Sequence, residues 1–484
     1  AMSAAAGGAA AGGGDSSSDM PPGGKPEPPA ALQSFDPDDY PAGFMSRRLL
    51  CFLGIVVGYT GLYFTRGSLT YTAPVMLADP LLNISITDIG AMTSAFPLAY
   101  GLSKFLGGVL GAKFSARLML GGGLLITALV NLGFGFCEGV GVFTALWFLN
   151  GSLQGIGAPA SSVLLTRWFA SQERGTWWGL WNIGANVGGF LTPLLVGTVA
   201  STLGWQWGMW VPGLIGLLFA VGCLTAVRDS PEEAGYTVLD SAEGGGGGGT
   251  TAQPKQQEDG GMSIRAALKE TVSNKGVWLL AFAYFFVYVV RQGATSWLVM
   301  YLLQAKGASD AAHAAYTVSG LELGGLLGGS LAGVLTDMRI KAAIAAERKA
   351  PGSGGGYVGK RVQIVMMYSL ATLAVLFALR AVPASSIPLQ WAVIAMLGFT
   401  IYGPQMLIGL CGAELVSKSS VSTSQGVLGL VSYMGAASAG VPLSYVLKNF
   451  GWDGYFVAMA AASLSAIALL LPLANARSQA QGGK

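Results

Sequence analysis

Tyr63-Phe64-Thr65-Arg66-Gly67 near the start and Tyr288-Val289-Val290-Arg291-Gln292 past the middle are two copies of one pattern. Each is a Tyr-x-x-Arg inside a long apolar segment, and each leads to an aromatic a few residues on, Tyr71 and Trp297. An arginine at that depth in a bilayer costs about 2.5–3.5 kcal/mol on insertion scales, so its presence asks for a function. Snorkelling to the headgroups is the plain alternative, but it suits the ends of a span. Arg291 has apolar neighbours on both sides, from Val277 to Val290 and from Trp297 to Leu303. Two arginines at matching positions of two half-chains point to a buried anion site ahead of two unrelated structural arginines.

Outward from these copies, the composition sets the class. The 484 residues are 52% hydrophobic and 11% charged, with mean hydropathy +0.55, against about 25% charge in a soluble domain. This is the composition of an all-α, polytopic membrane protein. Glycines inside the apolar segments allow close helix packing. Cys51, Cys137, Cys223 and Cys411 are scattered singly, without metal-ligand spacing, and read as buried structural thiols. His313 is the one histidine, so metal or triad chemistry built on histidines finds no support. No cofactor is implied, no nucleic-acid partner is expected, and no nucleophile, base and metal lie together as an enzyme needs.

Apolar runs of the length a bilayer requires, about 17–25 residues, can be placed twelve times. They are 49–77, 87–110, 116–136, 141–169, 175–201, 206–227, 274–304, 311–336, 361–381, 386–416, 422–447 and 454–474. Several exceed the minimum and should tilt or project beyond the lipid. The expected organisation is a disordered tail over 1–46, a six-helix half over 47–227, a linker over 228–273, a second six-helix half over 274–475 and a short tail over 476–484. The linker holds the Gly244 to Gly249 run and reads as flexible, with a short surface helix near 262–271.

Charge sets the orientation. Arg47, Arg48, Lys113, Arg117, Arg167, Arg174, Arg228, Arg339, Arg361, Lys418 and Arg477 fall on one side; Asp79, Asp88, Glu138, Asp310 and Asp453 fall on the other, with few basic residues. The positive-inside rule then places both termini and the linker on the cytoplasmic or stromal side. Asn83-Ile84-Ser85 is a formal glycosylation sequon, but Ser85 with Asp88 also makes a helix-capping pattern, which is the preferred reading.

Six spans, a linker and six spans, with a motif repeated in spans one and seven, predict two pseudo-symmetric halves with a site between them at the midplane. Arg66 and Arg291 then lie on opposite walls, where two forked guanidiniums can share one tetrahedral oxyanion. Tyr63 and Tyr288, three residues earlier, share a helical face with them, and Tyr59 continues that stripe one turn back; interfacial packing is the bland account of these tyrosines. Lys104 has two readings, cavity lining or snorkelling to the nearby basic end. Glu322 and Glu414 are the intramembrane carboxylates, fit for pairing with a cavity cation, for carrying a proton, or for a purely structural partner.

At these residues the chain resembles the organophosphate:phosphate antiporter family of the major facilitator superfamily, which includes glycerol-3-phosphate, hexose-phosphate and glucose-6-phosphate transporters. The likeness spans roughly 45–475 and is dense at Ala99–Phe105, at Arg167-Trp168-Phe169 through Glu173-Arg174-Gly175, at Trp181-Asn182 and at Arg228-Asp229-Ser230-Pro231. It is densest at Ile401-Tyr402-Gly403-Pro404 with Met406 to Leu410, and returns at Phe450-Gly451-Trp452-Asp453-Gly454. The resemblance implies that Arg66 and Arg291 bind the phosphoryl group, that the cavity tyrosines are Tyr59, Tyr63, Tyr288 and Tyr402, that Lys104 is the span-two lysine, and that Asn182 belongs to the binding region. It implies rocker-switch exchange of a phosphorylated metabolite for inorganic phosphate, driven by the gradients of the exchanged ligands without ATP.

The departures are specific. Glycerol-3-phosphate members carry histidine where this chain has Ala185; bacterial relatives carry a basic residue at Gly67 and an acidic one at Ser296. The loop after span two lacks the usual aspartate, whereas Asp337 is kept in the second half. Two further readings follow: a sugar-phosphate sensor without flux, and a facilitator for another small anion. A monomer is the default. The Ala/Gly-rich tail, with a chain beginning at Ala1, favours a plastid inner envelope over the plasma membrane.

Overall fold

A computed structural model describes residues 41–110, 114–169, 174–236, 264–349, 355–417 and 420–478. The expected tail up to residue 40, the Gly244–Gly249 run, the final residues from 479, and Lys113, Glu173 and Lys418 lie outside the described residues. The chain divides into a leading unit, Ala1–Met45, and a body, Ser46–Lys484. Of the leading unit, residues 41–45 are described and hold a turn and the first residues of a helix.

The described residues are helical, with no strand among them. In the N-terminal part the helices are α1 (Phe44–Ala78), α2 (Ile86–Leu110), α3 (Gly123–Phe134), α4 (Val140–Gln154), α5 (Gly157–Trp168), α6 (Arg174–Leu203) and α7 (Trp205–Ala226). A ten-residue helix, α8 (Ile264–Ser273), precedes the C-terminal part. There follow α9 (Lys275–Ala305), α10 (Ala311–Val318), α11 (Gly320–Lys349), α12 (Tyr357–Ala381), α13 (Ile387–Glu414), α14 (Val421–Ser438) and α15 (Val441–Leu470).

Each expected span falls on helix, but eight helical stretches among the described residues are long and apolar enough to cross a bilayer. Expected span 87–110 falls on α2 but is not among the eight, and the rest of the shortfall against twelve has local causes. Span 116–136 opens with a π-helical turn, Leu118–Gly122, before α3, and span 141–169 breaks between α4 and α5 at Gly155. The last two expected spans merge into one long stretch, kinked at Gly451, whose φ of 60° suits glycine. Beyond the expected end at 336, α11 continues to Lys349, because residues 339–349 are mostly alanines and charged residues with high helix propensity, with Ile340 and Ile344 among them.

Caps fix several helix starts. Ser85 and Asp88 form the capping box expected of them: the Ser85 amide donates to Asp88 Oδ2 at 2.9 Å, and the Asp88 amide to Ser85 Oγ at 3.3 Å. Asn274 caps α9, accepting from the Gly276 amide at 2.9 Å while donating to Leu415 O at 2.9 Å.

The N- and C-terminal helices meet along their acidic-side ends. The Ser94 hydroxyl of α2 donates to Ala437 O at 2.6 Å and accepts from the Val441 amide at 2.8 Å, spanning the break between α14 and α15. Backbones approach closely there: a Cβ at Gly90 would sit 2.6 Å from Ser444 Cβ, and one at Gly440 would sit 2.5 Å from Gly90 O. On the other flank, a Cβ at Gly197 of α6 would meet Ala315 of α10. Small residues on both partners therefore set this contact.

Candidate functional site

The i, i+3 spacing in α1 lays Tyr63 under Arg66, with the guanidinium carbon 3.7 Å from the ring centroid. Tyr59 continues the stripe, its ring 5.6 Å from Tyr63 and 4.5 Å from Trp181 of α6. In α9 the same spacing puts Arg291 5.7 Å from the Tyr288 ring, while Tyr402 of α13 comes within 5.1 Å of the same guanidinium.

Tyr433 of α14 joins the two walls. Its ring lies 4.8 Å from Tyr100 of α2 and 5.3 Å from Tyr288, and Lys104 Nζ stands 5.7 Å from its centroid. Gly101 makes room for it, since a Cβ there would be 2.6 Å from Tyr433 Cβ. Arg66 is within electrostatic reach of Tyr63, Tyr100, Tyr59 and Tyr433; Arg291 is within reach of Tyr402, Tyr288, Glu322 and again Tyr433. Arg66, Arg291, Tyr59, Tyr63, Tyr288, Tyr402, Lys104 and Glu322 are thus gathered in one region. Lys104 is exposed and stands beside Tyr433.

Glu322 of α11 accepts a hydrogen bond from the Tyr402 hydroxyl at 2.8 Å, and Gly189 of α6 abuts it. Among the described residues no carboxylate lies within 4.0 Å of either guanidinium. Arg291 Nε is buried without a hydrogen-bond partner. Two permanent positive charges, fork-shaped donors and a surround of tyrosine hydroxyls make a receptor for an oxyanion.

Two expected members stand elsewhere. Glu414 lies at the basic end of α13, paired with Arg361, whose Nε donates to both carboxylate oxygens at 3.1 and 3.0 Å. Asp337 joins Arg361 at 3.9 Å, so Glu414 stands in an ion-pair cluster with these two residues. Asn182 is exposed, and its recorded bond is through its backbone carbonyl, to Asn186 Nδ2 at 2.9 Å; its neighbour Trp181 is the residue that touches the tyrosine stripe.

Sequence reasoning did not single out Tyr100, Tyr284 and Tyr433. Tyr100 had a signal, because it precedes Lys104 by one helical turn. Tyr284 likewise precedes Tyr288 by one turn, 4.8 Å ring to ring, and donates to Gln405 O at 2.8 Å. Tyr433 had none, since its partners are distant in the chain. The departures also have a structural setting. Ala185 is buried, and a Cβ at Gly67 would lie 2.7 Å from Thr192 Cγ2, so a longer residue there needs the Thr192 side chain to give way.

Residues 55–440 match the model of the Major Facilitator Superfamily. The chain is 35% identical to the "Probable hexose phosphate transport protein" of Chlamydia muridarum, over 94% of this chain and 97% of that one. It is 34% identical to the "Membrane sensor protein UhpC" of Escherichia coli K12, over 88% of this chain and 92% of that one. Its fold is similar to that of a bacterial homologue of the human lysosomal transporter Spinster in an inward-facing, unoccupied conformation. The TM-score is 0.61 at 16% identity, covering 89% and 96% of the two chains.

Proposed function

Since the chain belongs to the Major Facilitator Superfamily, we propose that it is a secondary antiporter exchanging a phosphorylated metabolite for inorganic phosphate by alternating access. The observation that carries this reading is the pair Arg66 and Arg291, each beside a tyrosine and neither within 4.0 Å of a carboxylate among the described residues. A phosphate dianion offers each guanidinium a bidentate face. The tyrosine hydroxyls and Lys104 complete its shell, and Glu322, tied to Tyr402, competes for the cations when the anion leaves. Relatives named for hexose phosphate and glycerol-3-phosphate transport support an organic phosphate ester as the counter-substrate.

The protein works as a transporter rather than an enzyme, as a monomer, with its termini on the cytoplasmic or stromal side and a plastid inner envelope as its place. The test is uptake of radiolabelled phosphate into liposomes holding the purified protein. They are preloaded in parallel with phosphate, glycerol-3-phosphate, glucose-6-phosphate, 3-phosphoglycerate or nothing. Uptake that requires one internal ester identifies antiport and its substrate. The likeness to a protein named as a membrane sensor favours one second reading, a sugar-phosphate sensor; binding of an ester with no uptake under any preload selects it.

A further inference from the structure

The interior of the N-terminal helices holds a polar cluster that the anion site does not use. Thr65 and Ser68 of α1, Asn131 of α3, and Asn150 and Gln154 of α4 are at most 2% exposed. Two amides converge on one backbone oxygen: Asn131 Nδ2 donates to Thr65 O at 2.9 Å and Asn150 Nδ2 at 3.0 Å. Gln154 Nε2 donates to Thr65 Oγ1 at 3.1 Å and to Asn150 Oδ1 at 2.9 Å, and Ser68 Oγ donates to Asn131 Oδ1 at 2.6 Å. Those last two bonds lock each asparagine with its NH2 toward Thr65.

A helix carbonyl already accepts from the amide four residues on, so Thr65 O needs neither asparagine for its own satisfaction. What the two donors do is fix the carbonyl's direction. Thr65 C=O and Arg66 N–H belong to one planar peptide unit, so holding that plane from α3 and α4 sets the direction in which the Arg66 side chain leaves α1. Among the described residues, nothing comparable lies before Arg291. Val290 is buried in apolar core, and the side-chain donor recorded on the Arg291 carbonyl is Thr295 of the next turn, at 3.0 Å.

We infer that Asn131, Asn150 and Gln154 are positioning residues for Arg66, a clamp that presets one of the two guanidiniums for the anion. This rests on the reading of Arg66 as a phosphate ligand. The NH2 groups of Asn131, Asn150 and Gln154 all find acceptors in this interior, while Gln154 Oε1 is buried without a partner. Donors held in a low-dielectric interior stiffen what they touch, which is the property a preset ligand requires.

The test measures half-saturating inorganic phosphate in the purified, reconstituted protein. Asn150→Leu, which keeps the branching at Cγ and removes the donor together with the acceptor for Gln154, is expected to raise it about tenfold with the fold intact. Gln154→Met serves as the milder variant should the first fail to fold. The decisive readout is coupling. In an Arg66→Lys background, Asn150→Leu should add less than about twofold, and in an Arg291→Lys background it should retain its full effect. An equal effect in both backgrounds, or none in the wild-type background, overturns the inference, because a purely structural cluster acts on both walls alike. Hydrogen exchange separates this from failure of the phosphate reading. Asn150→Leu should speed exchange in α1 around Arg66 and leave α9 around Arg291 unchanged; equal or absent changes overturn the clamp even if the wild-type protein binds no phosphate.

Discussion

The peptide before Arg66 is gripped by amide donors from two neighbouring helices, whereas the peptide before Arg291 sits in apolar packing. On the second wall Val290, Ala294 and Trp297 are buried in one core with Leu298, Ile401 and Leu443, and Trp297 adds a single anchor, Nε1 to Ala439 O at 2.7 Å. A hydrogen-bonded plane has one direction; an apolar contact tolerates small rotations at little cost. The two copies of Tyr-x-x-Arg therefore share a sequence pattern without sharing a means of support. A repeated motif reports where a charge is placed, while its surroundings decide how firmly.

The comparison can be broken most severely at Trp297. Trp297→Ala removes a fully buried ring and its anchor from the apolar wall and should cost about 3–5 kcal/mol of stability. A thermal melt in detergent reads it, and a loss below about 1 kcal/mol would show that packing is not what holds this wall. Next in size come the charges themselves. Arg66→Lys and Arg291→Lys keep the charge but lose the fork, and each should cut phosphate exchange at least about tenfold, or about 1.4 kcal/mol, with the protein still folded. Normal exchange in either mutant removes the paired-guanidinium site. The smallest effect lies at Asp310, which caps α10 through a 2.8 Å bond from the His313 amide. That bond is the main cause that holds the Asp310 carboxyl below its ordinary range. The cap therefore stabilises above the unfolded carboxyl pKa and is lost as pH falls through the lowered folded value. Asp310→Ala should cost about 1 kcal/mol near neutral pH and nothing in strong acid; a pH-independent difference in melting temperature would show that the cap is idle.

Much of this was legible because it is local. The i, i+3 stacking of Tyr63 and Arg66, the Ser85–Asp88 box and the helical runs follow from spacing along one element, which a sequence displays directly. Tertiary partners are not displayed. Glu414 pairs with Arg361, 53 residues away, and Tyr433 meets Tyr100 from another part of the chain. Apolarity alone marked spans 116–136 and 141–169, and could not show that a π-turn or the Gly155 break divides them, since both pieces remain equally apolar. The continuation of α11 to Lys349 was hidden for the converse reason: hydropathy ends at the lipid boundary, but helix propensity does not.

The Ser94 contact carries a mechanical consequence. Its hydroxyl serves a carbonyl and an amide at a gap in a helix of the opposite half, and the residues that flank it, Gly90, Gly440 and Ser444, carry no charge. Parting the helices at that point strips the Val441 amide of its partner, while Ala437 O keeps the Gly440 amide at 3.0 Å, and Val441 recovers a partner only by rejoining its own helix or by meeting water. Separation of the halves and mending of the helix would then be a single event. Under the proposed alternating access, an uncharged bolt of this kind is indifferent to ionic strength, so the rate at which this face unlocks should hardly change with salt while the proposed anion binding weakens.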